Sequence, residues 1–76
     1  MRTLTPRALT RWRTTFYNAT TDAAMSTAEL ATYLQTSQRS VQRWEAGTQP
    51  IPGWLTRLTH QATTPDGFYR KQGALR

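Results

Sequence analysis

Boundary signals of two short helices follow each other in the middle of the chain, and they constrain the fold more than any other feature. Ser26 and Glu29 have the spacing of a capping box, in which each side chain accepts a hydrogen bond from the backbone amide of the other residue. Ser37 can cap a second helix, and Gly47 can adopt the left-handed conformation that commonly ends one. The sequence therefore predicts two helices joined by a short turn, over residues 27–35 and 38–46.

Apolar residues at helical spacing predict one further helix on each side of this pair. Pro6 directly after Thr5 is typical of a first helical residue after its N-cap. The apolar stripes are Leu9, Trp12 and Phe16 before the pair, and Trp54, Leu55 and Leu58 after it. No segment shows the alternation of a half-buried strand. We therefore expect an all-α fold with helices over 6–17, 27–35, 38–46 and 52–61, in one helix-turn-helix domain over 5–62 with a short basic tail over 63–76.

Arginine supplies most of the positive charge of this chain. The 76 residues include nine arginines and one lysine, and the formal net charge is +6. The guanidinium group is a flat, permanently charged fork that suits phosphates and the edges of guanine bases. A basic surplus of this kind is typical of nucleic-acid-binding proteins, although it also fits an acidic protein partner or solubility alone.

The composition disfavours several other classes of protein. No apolar run approaches the roughly 18–20 residues of a membrane span, and the start of the chain has no apolar stretch of the kind found in secretion signals. The chain has no cysteine, which favours an intracellular location. The single histidine, His60, and four carboxylates make neither a metal-ligand set nor a catalytic group. We therefore expect no enzyme activity, no metal and no cofactor.

The helix predicted over 38–46 has two opposite faces. At about 100° per residue, Val41 and Trp44 point to one side, where they can be anchored in a core. The other side carries Arg39, Gln42 and Arg43, with Gln38 and Ser40 on the flanks. Arginine binds guanine edges and glutamine binds adenine edges with two hydrogen bonds each. The second face therefore has the residue types of a helix that reads the major groove of DNA.

These residues resemble the Xre/Cro helix-turn-helix family of phage and bacterial transcriptional regulators. The resemblance rests on STAELATYL at 26–34, SQRSVQRWEAG at 37–47 and PIP at 50–52. It implies sequence-specific binding of double-stranded DNA, commonly as a homodimer on a two-fold operator. The chain departs from the family at Gln35, where the tight turn usually has glycine, and after the fourth helix, where many relatives have a fifth helix used for dimerisation.

The resemblance also implies a role for individual positions. The positions that match base-reading residues are Gln38, Arg39, Ser40, Gln42 and Arg43. The positions that match phosphate contacts are Thr27, at the start of its helix, and Thr48 and Gln49, in the loop after Gly47. Arg13 and Glu45 match a structural ion pair between the first and third helices.

Residue types add further candidates. The helix amides beside Ser37 suit a phosphate, while Arg7 and Arg11 either follow phosphates or keep the protein soluble. Four apolar residues are candidates for a dimer contact: Trp54, Leu58, Phe68 and Tyr69. Core packing is the alternative for Trp54, and a disordered chain end is the alternative for Phe68 and Tyr69.

The expected function is a sequence-specific DNA-binding transcriptional regulator, a repressor or autoregulator, that acts in the cytoplasm of a bacterial host cell. Two alternatives remain open. One is a DNA-binding adaptor of a phage packaging or recombination complex. The other is an antitoxin-like module that uses residues 68–70 to bind an acidic protein partner.

Overall fold

The computed structural model describes residues 4–61 and 64–70, which form four helices and a small antiparallel sheet. In chain order the elements are α1 (Pro6–Thr14), β1 (Phe16–Asn18), α2 (Thr27–Leu34), α3 (Gln38–Ala46), α4 (Gly53–Thr59) and β2 (Phe68–Arg70). None of the helices in these two ranges has the length and apolar character needed to cross a bilayer.

The first helix begins as predicted and ends three residues early. The Thr5 hydroxyl accepts a hydrogen bond from the Ala8 amide at 3.1 Å, which is an N-cap. At the other end, the Thr15 hydroxyl donates to the Trp12 carbonyl at 2.7 Å. Such side-chain bonds to the backbone compete with the helical ladder, and the following Phe16 and Tyr17 are residues with high strand propensity. The chain therefore leaves the helix at Thr15 and becomes extended.

The all-α fold class expected from the sequence is wrong, because β1 and β2 form a two-stranded antiparallel sheet. Tyr17 is paired with Tyr69 at the centre of the register. On its other edge, β1 bonds to the segment before α2, with the Met25 amide donating to the Phe16 carbonyl at 2.9 Å. Strands of three residues are too short to show an alternating pattern, and their partner lies about 50 residues away in the chain. Periodicity within one segment therefore gave no sign of the sheet.

Part of the expected basic tail belongs to the sheet. Residues 68–70 are β2, and the Phe68 side chain packs against the core. The Gly67 carbonyl accepts from the Ala19 amide at 2.9 Å, which extends the pairing by one step. The parts of the expected tail at 63 and 71–76 lie outside the described residues. α4 is within two residues of its expected bounds at each end, which is the usual uncertainty of helix ends.

A single apolar core joins the helices to the sheet. Its buried side chains come from every helix, from β1 and from the segment before α2: Leu9, Phe16, Met25, Leu30, Ala31, Val41, Trp44 and Leu55. Phe16 is fully buried, and the two residues that follow it in β1 are half-buried. The core therefore holds α3 through Val41 and Trp44, as the pattern of that helix predicts.

The turn between α2 and α3 is tight and left-handed. The capping box of Ser26 and Glu29 is present at the start of α2. At its end, Gln35 has φ 58° and ψ 45°, and the Thr36 amide donates to the Ala31 carbonyl at 2.9 Å. This is the conformation for which glycine is favoured, so Gln35 holds a local strain at this position. Ser37 then caps α3.

Candidate nucleic-acid interface

α3 exposes most of the residues that the sequence assigns to base reading. Gln38, Arg39, Gln42 and Arg43 are exposed, while Val41 and Trp44 on the other side are buried. Ser40 is half-buried, and its hydroxyl lies 3.0 Å from that of Ser37. Its amide also donates to the Ser37 hydroxyl at 3.1 Å. Ser40 is therefore part of the helix cap, and the other four residues form the outward surface.

We call Gln38, Arg39, Gln42 and Arg43 the outward face of α3. Within residues 4–61 and 64–70, neither Arg39 nor Arg43 forms an ion pair or a side-chain hydrogen bond. The two residues are one helical turn apart in α3 and carry two positive charges. Both groups are consequently available to an external acceptor.

The first residues of α2 and α3 are hydrogen-bonded to each other. The side-chain amide of Gln38 donates to the Thr27 hydroxyl at 3.0 Å. The second amide hydrogen and the carbonyl oxygen of Gln38 are still available, and these are the two groups that pair with adenine. The Thr27 hydroxyl keeps its own hydrogen for a phosphate oxygen. This bond thus brings one expected base-reading residue together with one expected phosphate contact.

A largely buried group of hydrogen bonds, which we call the Glu45 clamp, connects α3 to α1. Glu45 accepts two hydrogen bonds from Arg13, at 2.7 and 3.0 Å, and a third from the Thr10 hydroxyl at 2.9 Å. Arg13 also donates to the Met25 carbonyl at 2.6 Å. The Arg13 and Glu45 side chains are only 14% and 11% exposed. The ion pair expected between the first and third helices is thus present, and it also ties down the segment that leads into α2.

The other expected phosphate contacts lie on α1 and at the two ends of α3. Arg7 and Arg11 are exposed on α1, one turn apart. The start of α1 lies against the end of α3, since a Cβ at Gly47 would be 3.6 Å from the Pro6 ring. The Thr48 hydroxyl donates to the Arg43 carbonyl at 3.3 Å, so it pairs with a backbone group in the last turn of α3. Ser37 is exposed but its hydroxyl is used as a cap, and Gln49 is half-buried.

The four expected dimer residues fall into two kinds. Leu58 and Phe68 are half-buried and pack against the core. Trp54 and Tyr69 are 44% and 38% exposed. Trp54 meets Trp44 edge to face at 6.1 Å, and Tyr69 packs on Tyr17 at 6.0 Å. The Tyr69 hydroxyl also donates to the Asp22 carboxylate, and this hydrogen bond raises the pKa of Tyr69.

Asn18, the last residue of β1, has a connecting role that sequence reasoning missed. Its side-chain amide donates to Glu29 at 2.9 Å, while its side-chain oxygen accepts from the amides of Thr20 and Thr21. The other Glu29 oxygen accepts from the Ser26 amide at 2.8 Å. These bonds lower the pKa of Glu29, and the bond from the Ser26 amide has the largest effect. Asn18 thereby ties the sheet to the first turn of α2, and a sequence pattern contains no signal for a contact of this kind.

Across 4–61 and 64–70, no three His, Cys, Asp or Glu side chains are grouped so that they could hold a metal ion. His60 is exposed at the end of α4.

Comparison of the chain with models of protein families, with curated proteins and with solved structures finds no match.

Proposed function

We propose that this protein is a sequence-specific double-stranded DNA-binding regulator that inserts the outward face of α3 into the major groove. The observation that carries the proposal is the division of α3 into two sides. Two arginines and two glutamines are exposed, and the opposite side is anchored by Val41, Trp44 and the Glu45 clamp. A rigid helix with free arginines and glutamines fits a groove about 12 Å wide.

The proposal assigns affinity and sequence discrimination to two different kinds of contact. Arg7, Arg11 and the free amides at the starts of α2 and α3 bind phosphates and supply the salt-sensitive part of the affinity. Arg43, Arg39 and the glutamines then discriminate between bases, with each good two-bond contact contributing roughly 1–3 kcal/mol. The net charge of +6 supports the first kind of contact.

A homodimer on a two-fold operator is the arrangement that we propose. Two half-sites on one side of the duplex are about 34–36 Å apart. The longest dimension of the domain is 31 Å, a few ångströms less than this spacing, so two copies on successive major grooves touch only if their long axes lie along the duplex and side chains bridge the remaining gap. The proposed outcome is repression through occupation of a promoter, in the cytoplasm of a bacterial host cell.

Selection of bound duplexes from a random pool tests the proposal. We expect one recurring motif with two-fold symmetry and a linear loss of log affinity with log salt, with a slope of about −0.9 for each phosphate neutralised. A pool that shows no enrichment would contradict sequence-specific reading. A ring-sized assembly in light scattering would favour a packaging adaptor instead.

Matched arginine variants separate the two kinds of contact. Arg43→Ala should relax the preference at one base position, whereas Arg7→Ala should weaken binding to all duplexes alike. Arg57→Ala removes an exposed arginine from α4, which carries none of the proposed DNA contacts, and should bind as the wild type does. Equal loss on operator and random duplex for both Arg43→Ala and Arg7→Ala would overturn the assignment of α3 as the reading helix.

A further inference from the structure

The turn that leads into β2 is exposed and closes over two residues. The Phe68 amide donates to the Pro65 carbonyl at 3.1 Å, so Asp66 and Gly67 occupy the two central positions. Gly67 has φ 82°, a conformation for which glycine is favoured at the third position of a turn. Both central residues are exposed, and a Cβ at Gly67 would have no atom within 4 Å beyond its chain neighbours. The peptide bond between Asp66 and Gly67 is therefore open to water.

An aspartate that is followed by glycine can form a cyclic imide with its own backbone. The Gly67 nitrogen attacks the side-chain carboxyl carbon of Asp66, a C–N bond forms, and the carboxyl OH and the amide proton leave together as water. A second water molecule then opens the ring. Opening at the side-chain carbonyl restores aspartate, whereas opening at the backbone carbonyl leaves Gly67 attached to the side-chain carbon, which is isoaspartate. The mass is unchanged, and neither an oxidant nor an enzyme is needed.

Hydrogen bonds hold the chain's two other residues of this kind, Asn18 and Asp22. The side-chain amide of Asn18 donates to Glu29 at 2.9 Å, and the backbone amide after Asn18 donates to a carbonyl in the turn before β2. The Asp22 carboxylate accepts from the Tyr69 hydroxyl, and the amide after Asp22 donates to a threonine hydroxyl at 3.4 Å. The next residue is alanine in both cases, and its Cβ hinders the attack. Both sites are therefore blocked in the folded protein.

Asp66 and Gly67 have none of these restraints. Within residues 4–61 and 64–70, the Asp66 carboxylate and the Gly67 amide form no hydrogen bond, and Asp66 forms no ion pair. The carboxylate is consequently free to turn toward the amide, and no acceptor in this part of the chain holds the amide proton. Glycine also presents no side chain to the approaching carboxyl group.

Conversion at Asp66 lengthens the backbone at the place that positions β2. The backbone of isoaspartate runs through Cβ, so one extra atom enters the chain between Pro65 and Phe68. The bond from the Phe68 amide to the Pro65 carbonyl and the bond from the Ala19 amide to the Gly67 carbonyl both span this turn. Strand register depends on the turn that precedes it, and β2 has only three residues with which to keep its pairing.

From these observations we infer that Asp66 is a modification site that converts spontaneously to isoaspartate, and that the conversion detaches β2 from β1. The helices keep their own caps and the Glu45 clamp, so α3 stays folded while Phe16 loses its strand partner Arg70. The reaction limits the lifetime of the sheet. This inference goes beyond DNA binding and does not depend on it.

Ageing of the purified protein in warm neutral buffer, followed by tryptic peptide mapping, tests the inference. Trypsin yields peptide 58–70, in which Asp66 is the only aspartate or asparagine. We expect a second chromatographic peak with the mass of this peptide to grow over weeks of incubation. Peptide 14–39 contains the other two such residues and is the internal control, which should keep a single peak. The absence of a second peak for 58–70, or equal growth in both peptides, would overturn the proposal.

Asp66→Glu is the matched variant, because it keeps the charge and prevents the reaction. The longer side chain would have to close a six-membered ring, which forms far more slowly, so peptide 58–70 of this variant should keep one peak. Asp66 is exposed and has no hydrogen bond or ion pair within the described residues, so we expect the fold of the variant to be unchanged. Equal growth of a second peak in Asp66→Glu would contradict imide formation at this residue.

Hydrogen exchange separates loss of the sheet from the modification itself. In the fraction of aged protein that carries isoaspartate, the Ala19 amide should exchange roughly tenfold faster than in fresh protein, because its acceptor is the Gly67 carbonyl. The Val41 amide, which donates to the Ser37 carbonyl in α3, should change far less. If peptide 58–70 converts and the Ala19 amide keeps its protection, β2 stays in place and the inferred detachment is wrong.

Discussion

The carboxamide of Gln38 donates a hydrogen bond to the hydroxyl of Thr27 at 3.0 Å, so the first residues of α3 and α2 are joined directly. Each of these residues is also next to helix amides that have no partner within their helix. The bond therefore connects the two places where the proposed interface has its donors for DNA. It orients the Gln38 amide before any base is present.

Loss of the Thr27 hydroxyl should weaken DNA binding to every duplex, and more to the operator, because Gln38 also loses the bond that orients its amide. Thr27→Val removes a proposed phosphate contact and frees the Gln38 amide, and we expect roughly a two- to tenfold loss of affinity on operator and random duplex, the usual effect of one hydrogen bond. Fluorescence anisotropy with both duplexes measures it. Thr32→Val, the same change at an exposed position on α2, is the control. Unchanged binding by Thr27→Val would remove Thr27 from the interface.

The clamp between α1 and α3 should be a strong determinant of stability. Arg13→Met leaves the largely buried Glu45 carboxylate without its cation, and we expect a loss of about 3 kcal/mol in the free energy of unfolding. The double variant Arg13→Met/Glu45→Leu removes both charges and should lose less than Arg13→Met alone. Urea unfolding of the three proteins measures the difference. A double variant that is less stable than Arg13→Met would contradict a largely buried ion pair.

Replacing Gln35, the left-handed residue between α2 and α3, with glycine should stabilise the protein. Gln35 has φ 58°, which costs an ordinary residue more than it costs glycine. After allowance for the greater freedom of glycine in the unfolded chain, Gln35→Gly should gain about 0.5–1 kcal/mol, which corresponds to a rise of roughly 2–8 °C in Tm. Calorimetry checks the value. Gln35→Ala keeps the Cβ and should show no gain, so an equal gain in both variants would argue against backbone strain.

Acid should weaken the connection between the sheet and α2. The pKa of Glu29 is lowered from 4.5 by the bonds from Ser26 and Asn18. Because the folded pKa lies below the unfolded one, the carboxylate stabilises the folded state above about pH 4.5, and this contribution disappears as the pH falls through the folded value. Urea midpoints between pH 7 and pH 3 should therefore fall less in Glu29→Gln than in the wild type.

A matched carboxylate variant makes the pH test specific. Asp66→Asn changes an exposed carboxylate in the turn before β2 and should keep the wild-type pH dependence. Asn18→Ala removes one of the two main causes of the shift and should give an intermediate slope. An equal acid response in Glu29→Gln and the wild type would contradict a lowered pKa of Glu29 in the folded state.

Local sequence signals predicted the helices. The features that these signals missed depend on contacts between residues that are distant in the chain. Ser37 and Gly47 mark α3 by their own chemistry, so its bounds agree with the prediction. The exposure of Arg39 and Arg43 likewise follows from a helical wheel. In contrast, Phe16 fits a helical stripe but lies in a strand, because its conformation depends on pairing with Arg70.

The candidate interface likewise has some features that the sequence predicted and others that it did not. The outward face of α3 is a property of one helix, and its residue types are visible in the sequence. The bonds from Gln38 to Thr27 and from Asn18 to Glu29 join different elements, and the spacing of the residues in the chain contains no information about them. The role of Ser40 in the cap of α3 also needed coordinates, since base reading and capping favour the same small polar residue.

The position of β2 at the far end of the described chain has a consequence for the order of folding. All four helices precede β2. The bond between α2 and α3 spans 11 residues and the bonds between α1 and α3 span 32–35, whereas the pairing of residues 16–18 with 68–70 must close a loop of about fifty residues. We expect the helices to associate first and the sheet to form last. A nascent chain leaving the ribosome would then present Phe16 without its strand partner until residues 68–70 emerge.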